Sequence, residues 1–276
     1  MMTYNSVDIV GKGDHDFDPK QGQAMLTGKR VMITGAGAGI GLAVARQMGQ
    51  AGAHLFLVDV DPQAVARAVS DLQDFDTPVT GIAASVASAT DVGSAFDAID
   101  AAYGGIDILI NNAGITGNCH AADLDLATWE RVIGVNQTGT FLCAQAAGVR
   151  MRKQQSGVII NLSSIYGLVA APNRLAYSAT KAAVIMMTKA LAVEWAADNI
   201  RVNCVAPGYV ETPGTAALAN DGIIDLDALR RRTPQKRLAQ PDDVARAIVA
   251  LCDDGLLHVT GQVLAVDGGW SAYGYL

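Results

Sequence analysis

The chain has 276 residues, half of them apolar and 17% charged, with a net charge of −7. That is long enough to bury the core of one α/β domain, and the acidic balance excludes a phosphate-backbone binder: the one dense basic run, Arg230-Arg231-Arg232 with Lys236 and Arg237, is short and flanked by acids. No apolar run reaches the roughly 18 residues needed to cross a bilayer, and the four cysteines (Cys119, Cys143, Cys204, Cys252) and four histidines (His15, His54, His120, His258) are scattered without metal-ligand spacing, so no metal is expected and the thiols read as reduced in a cytoplasmic protein.

Residues 1–25 read as an N-terminal extension. Met1 to Gln23 is polar, with Asp8, Asp14, Asp16 and Asp18, and lacks the basic start and apolar core of a secretory signal. From residue 26 to 276 short β-branched runs alternate with longer helical patterns, the signature of βαβ units. Strands are expected at Arg30–Thr34, His54–Asp59, Val79–Ala84, Ile106–Asn111, Gly157–Ser163, Arg201–Ala206 and Gln262–Val266. Helices are expected at Ile40–Ala51, Pro62–Gln73, Ser88–Tyr103, Leu126–Lys153, Leu175–Ala196 and Pro241–Cys252. Gly52, Gly104 and Gly255 stand where a left-handed residue ends a helix. The fold class is therefore α/β: one Rossmann-type domain, a doubly wound seven-stranded parallel sheet with helices on both faces.

The first strand runs straight into Thr34-Gly35-Ala36-Gly37-Ala38-Gly39-Ile40-Gly41 and then a helix. Glycines there let backbone approach a pyrophosphate while the helix N-terminus offers unpaired N–H groups. Asp59, at the end of the second strand, has the spacing of an acid that accepts from the adenosine ribose hydroxyls. A carboxylate repels a 2′-phosphate, and Ala38, Val60 and Asp61 supply no cation for one, so NAD is favoured over NADP. Asp61-Pro62 reads as the cap and first residue of the next helix.

Residues 209–240 form too long a connection for an ordinary turn, and an insertion after a strand's C-terminal end reads as a lid over a substrate site. Tyr177 and Lys181 lie four apart on one helical face, where an ammonium favours phenolate over phenol and would lower the tyrosine pKa toward the range of an acid/base catalyst.

These motifs, together with Asn111-Asn112-Ala113-Gly114, Asn136 within Val135-Asn136-Gln137, Ser163-Ser164 and Pro207-Gly208 in this order, resemble the short-chain dehydrogenase/reductase family from Leu26 to the C-terminus. The resemblance implies a catalytic set of Asn136, Ser164, Tyr177 and Lys181. Ser164, thirteen residues before the tyrosine, would hold the substrate oxygen and Tyr177 would exchange its proton. Lys181 would bind the nicotinamide ribose and steady the tyrosinate, and Asn136 would offer its carbonyl to a water leading to solvent. Ser163 takes a structural role. Gly35, Gly39, Ile40 and Gly41 would meet the pyrophosphate, Asn112 and Ala113 the adenosine side, and Pro207, Gly208, Val210 and Thr212 the nicotinamide. One departure shows: the family usually has an acid for the adenine after the third strand, where this chain has Ala84-Ser85-Val86, so Ser85 and Val86 line that place with a neutral acceptor. The family also implies homotetramers, with helices Leu126–Lys153 and Leu175–Ala196 paired across a two-fold axis.

Ile115, Thr116, Ile165, Tyr166, Asn173, Arg174, Tyr209 and Glu211 flank the chemistry as pocket candidates. Their Thr, Asn, Tyr and Glu groups suit a sugar, polyol or small secondary alcohol. A ketoacyl-type reductase is the alternative, and a regulator without catalysis is a third reading that the intact site residues oppose. The aromatic C-terminus, with Trp270, Tyr273 and Tyr275, is expected at a subunit contact.

Overall fold

The structure, a computed structural model, describes residues 25–274. Seven strands form one parallel sheet in the order β3-β2-β1-β4-β5-β6-β7. They are β1 (Arg30–Thr34), β2 (His54–Asp59), β3 (Val79–Ala83), β4 (Ile108–Asn111), β5 (Gly157–Leu162), β6 (Ile200–Pro207) and β7 (Val263–Val266). The N-terminal extension and Tyr275 to Leu276 lie outside the described residues.

Alternation along the strands divides the core in two. Val31 and Ile33 face the layer of helix α1 (Gly39–Gln50) and helix α9 (Pro241–Cys252), whose Val44, Met48, Val244 and Ile248 are completely buried. Met32 faces the opposite layer of α3 (Ala89–Tyr103) and α5 (Gly139–Gln154), where Phe96, Ile99 and Ala147 close the second core. Helices cover both faces, so β5 and β6 are buried along their whole length. The order reverses between β1 and β4, which opens a crevice at the carboxyl ends of the strands.

Helix α2 (Pro62–Asp71) begins as the sequence requires, with the Asp61 carboxylate accepting from Gln63 N and Pro62 in the first turn. β4 starts two residues later than expected, because Asp107 turns its carboxylate onto Arg30, accepting from the Arg30 backbone N and Nε, both at 2.8 Å. Gly52 and Gly104 adopt the expected left-handed backbone, but Gly255 does not. α9 ends instead on an extended Asp253 whose carboxylate accepts from Gly255 N at 2.7 Å and starts a short 3-10 turn.

The expected continuous helix over Leu126–Lys153 is interrupted. It consists of α4 (Leu126–Ile133), a wide π-turn at Gly134–Thr138 and α5. Gly139 N bonds back to the Gly134 carbonyl, five residues earlier, and a Cβ at Gly139 would lie 2.7 Å from the Val86 side chain. The wider turn carries Asn136 into the protein interior, where it is completely buried.

Candidate active site

The glycine turn is held from below by β4. Thr34 Oγ1 accepts from the backbone N of both Asn112 and Ala113 at 3.1 Å, and Asn112 Nδ2 donates to the carbonyls of Thr34 and Gly35, each at 2.9 Å. Gly35 is left-handed, with φ +65°, and a Cβ there would approach Ala113 Cα to 2.9 Å. A Cβ at Gly41 would collide with the Gly35 carbonyl. Ala38 occupies the cap of α1 and offers no side-chain acceptor, so the first-turn N–H groups remain for an anion. The turn opens into a cleft of about 500 Å³ whose lining includes Gly35, Gly39, Ile40, Asp59, Ser85, Val86, Asn112 and Ala113. The Asp59 carboxylate accepts from Gly37 N at 2.9 Å and from Asp61 N at 3.2 Å. Glycines with no room for a Cβ at Gly35 and Gly41, an uncapped helix start and an acid at the far end fit a dinucleotide.

A second cavity of about 220 Å³ continues this cleft, the two sharing Ile40, Asn112, Gly114, Ile115, Tyr177 and Thr212. Ser164, Tyr177 and Lys181 all line it, as do Pro207, Gly208 and Val210. Tyr177 and Lys181 project from α6 (Leu175–Trp195), and Ser164 follows β5. The Ser164 hydroxyl acts on the Tyr177 phenol, lowering its pKa, and accepts from Tyr166 N at 3.1 Å. Ser163 points elsewhere, donating to the Lys181 carbonyl at 2.7 Å.

The electrostatics differ from the expectation. Desolvation raises the Tyr177 pKa above the ordinary phenol value, opposed by the Ser164 hydrogen bond and by the charge of Arg174. The Lys181 ammonium donates to the Leu162 carbonyl at 2.8 Å and stands 5.6 Å from the centre of the Tyr177 ring. Burial lowers its own pKa to about 8.

Asn136 is tied on three sides. Its Oδ1 accepts from Ile115 N at 2.8 Å, and its Nδ2 donates to the Ile115 carbonyl at 2.9 Å and to Thr180 Oγ1 at 3.1 Å. Its backbone carbonyl accepts from Thr140 Oγ1 at 2.7 Å. Thr180 in turn donates to the Tyr177 carbonyl at 2.8 Å, so it links the π-turn to the tyrosine's own helix. Sequence reasoning passed over Thr34 and Thr180, whose only signal was a hydroxyl beside a motif.

Of the pocket candidates, Ile115, Thr116, Ile165, Tyr166, Arg174 and Tyr209 line the second cavity, and Asn173 and Glu211 do not. Asn173 is left-handed at φ +61° and gives its carbonyl to Cys119 N. Glu211 is turned outward to Arg230 at 3.2 Å and Gln240 at 2.8 Å. Thr212 caps α7 (Pro213–Asn220) by accepting from Thr215 N at 3.2 Å. Trp270 packs on Tyr209 with ring centres 5.5 Å apart, and the Arg232 guanidinium lies over Trp270 and Tyr273, so these tail aromatics have partners within their own chain.

A sequence model of the family described as "Enoyl-(Acyl carrier protein) reductase" matches residues 35–271. The chain belongs to the short-chain dehydrogenase/reductase family. It is 41% identical over 244 residues to cis-4-hydroxycyclohexanecarboxylate dehydrogenase of Sinomonas cyclohexanicum, covering 87% of this chain and 96% of that one. It is 37% identical over 256 residues to D-threitol dehydrogenase of Mycolicibacterium smegmatis, covering 93% and 96%. Among solved structures, levodione reductase superposes with a TM-score of 0.87 at 29% identity, over 91% of this chain and all of that one. These short-chain relatives are dehydrogenases of CH–OH groups, and the family works with a nicotinamide dinucleotide.

Proposed function

We propose that this short-chain dehydrogenase interconverts a secondary alcohol and its ketone with NAD, on a sugar, polyol or small hydroxy compound. The observation that carries the reading is the Ser164–Tyr177 hydroxyl pair, which lines the cavity continuous with the dinucleotide cleft. The bound nicotinamide supplies or accepts the hydride. Tyr177 then gives a proton to the substrate oxygen, or takes it, and Ser164 holds that oxygen by a hydrogen bond. Lys181, with two N–H groups beyond the one given to Leu162, binds the nicotinamide ribose and adds positive charge beside the tyrosinate. Asn136 fixes the π-turn and the Ile115 backbone at the cavity wall.

For the cofactor, Gly35, Gly39, Ile40 and Gly41 take the pyrophosphate, Asp59 the adenosine ribose, Ser85, Val86, Asn112 and Ala113 the adenine side, and Pro207, Gly208, Val210 and Thr212 the nicotinamide. Asp59 together with a cleft lining free of Lys and Arg among the described residues supports NAD and opposes an NADPH-linked ketoacyl-type reductase. Residues 209–240, carrying α7 and α8 (Leu226–Arg232), act as the substrate lid. The relatives named for a hydroxycyclohexanecarboxylate and for threitol support a small hydroxy substrate. A homotetramer is part of the proposal, supported by exposed Phe141 and Val149 on α5 and Met186 and Val193 on α6.

The test follows NADH and NADPH absorbance across polyols, hydroxy acids and secondary alcohols. NAD-linked turnover of at least one member is expected; turnover with NADP alone, or with none of the panel, contradicts the reading.

A further inference from the structure

The proposed reaction uses Arg174 only through its charge near the Tyr177 phenol and leaves its remaining N–H donors unused. The residue stands at the cap of α6, three residues before Tyr177, and is only 8% exposed. Arg174 lines the second cavity and not the dinucleotide cleft. Among the described residues no carboxylate lies within ion-pair distance of it, although twelve other Lys or Arg contacts with carboxylates occur. Its partners are neutral: Nη1 donates to Asn118 Oδ1, and the guanidinium carbon sits 5.9 Å from the centre of the Tyr166 ring.

A buried guanidinium without an anion is costly, and a protein retains one where something supplies the missing charge. Asn118 and Tyr166 hold the group in place without neutralising it, and Arg has five donors, of which this contact uses one. The cavity contains two cations, Arg174 and Lys181, and no Asp or Glu. The acid that sequence placed there, Glu211, is paired on the outside with Arg230 and Gln240.

We infer that Arg174 is a specificity-determining residue that binds an anionic group, a carboxylate in the first instance, carried by the substrate at a fixed distance from the carbon that Tyr177 and Ser164 serve. The substrate class is then a hydroxy acid and its keto acid rather than a neutral polyol. A planar guanidinium suits a carboxylate, which it can hold through two parallel N–H···O bonds. This rests on the proposed alcohol–ketone chemistry and narrows it.

The experiment compares acids with their own primary amides, which match them in shape and lack the charge: 3-hydroxybutyrate and 4-hydroxycyclohexanecarboxylate, each with its carboxamide. Binding to the enzyme–NADH complex is read by NADH fluorescence and turnover by absorbance, for the wild type, Arg174→Gln and Arg174→Lys. The wild type should prefer at least one acid over its amide by about 10- to 100-fold in binding. Arg174→Gln should remove that preference through KM, leave amide binding unchanged, and be partly reversed in Arg174→Lys. An absent acid preference in the wild type overturns the inference, as does an equal loss for acid and amide in Arg174→Gln, which would leave Arg174 no role beyond its charge near the tyrosine. Because binding is scored without turnover, an acid preference with no NAD-linked oxidation counts against the proposed reaction alone.

Discussion

Lys181 Nζ donates to the Leu162 carbonyl at 2.8 Å, fastening the N-terminal third of α6 to the end of β5 at the cavity that both residues line. The bond keeps a nearly buried ammonium within reach of the Tyr177 ring, and its cost appears as a lysine pKa lowered to about 8 by desolvation.

That shift has a definite sign. The folded state binds the Lys181 proton less tightly than the unfolded chain, so between about pH 8 and the ordinary lysine value near 10.5 the unfolded state carries more protons and stability rises with pH. Relative to Lys181→Met, the native protein should therefore gain about 2 kcal/mol between pH 7 and pH 10. Denaturant unfolding of both proteins at the two pH values measures this. A difference independent of pH would contradict it.

Ser164→Ala removes the hydroxyl that shares the cavity with Tyr177 and that is proposed to hold the substrate oxygen. The expected loss is about 100-fold in kcat with NADH affinity unchanged. Steady-state kinetics beside a fluorescence titration of NADH separates the two; a kcat within about threefold of the native value would remove Ser164 from the chemistry.

Asp59→Asn keeps an acceptor for Gly37 N and removes the charge. The ratio of kcat/KM for NADPH over NADH should rise by about tenfold or more, since the repulsion of a 2′-phosphate is gone. An unchanged ratio would place cofactor choice elsewhere in the cleft.

Val193 is 80% exposed and Met186 61% exposed on the outer side of α6. Val193→Glu with Met186→Glu should break the proposed tetramer into smaller species without unfolding the monomer, as read by light scattering and circular dichroism. A tetramer that persists would move the interface off this helix.

Much of the fold was legible because βαβ punctuation is local. The turn from Thr34 to Gly41, the acid at Asp59 and the Asp61-Pro62 helix start each announce themselves within a few residues. The π-turn was not legible, since Leu126 to Lys153 reads as unbroken helix and the bulge is fixed by Asn136 contacts to Ile115 and Thr180, 21 and 44 residues away. Glu211 was misplaced for a similar reason: its partners Arg230 and Gln240 lie 19 and 29 residues on. The spacing of Tyr177 and Lys181 put them on one helix face, but spacing alone does not show that Leu162 takes the ammonium or that the Arg174 charge also reaches the phenol.

The account stands most directly on Tyr177→Phe, which deletes the oxygen proposed to exchange the proton and keeps the ring. With a substrate found in the panel, turnover should fall by about 1,000-fold or more while NADH binding, read by fluorescence titration, stays within about twofold of native. Turnover retained above about a tenth of the native rate would contradict Tyr177 as the acid/base group.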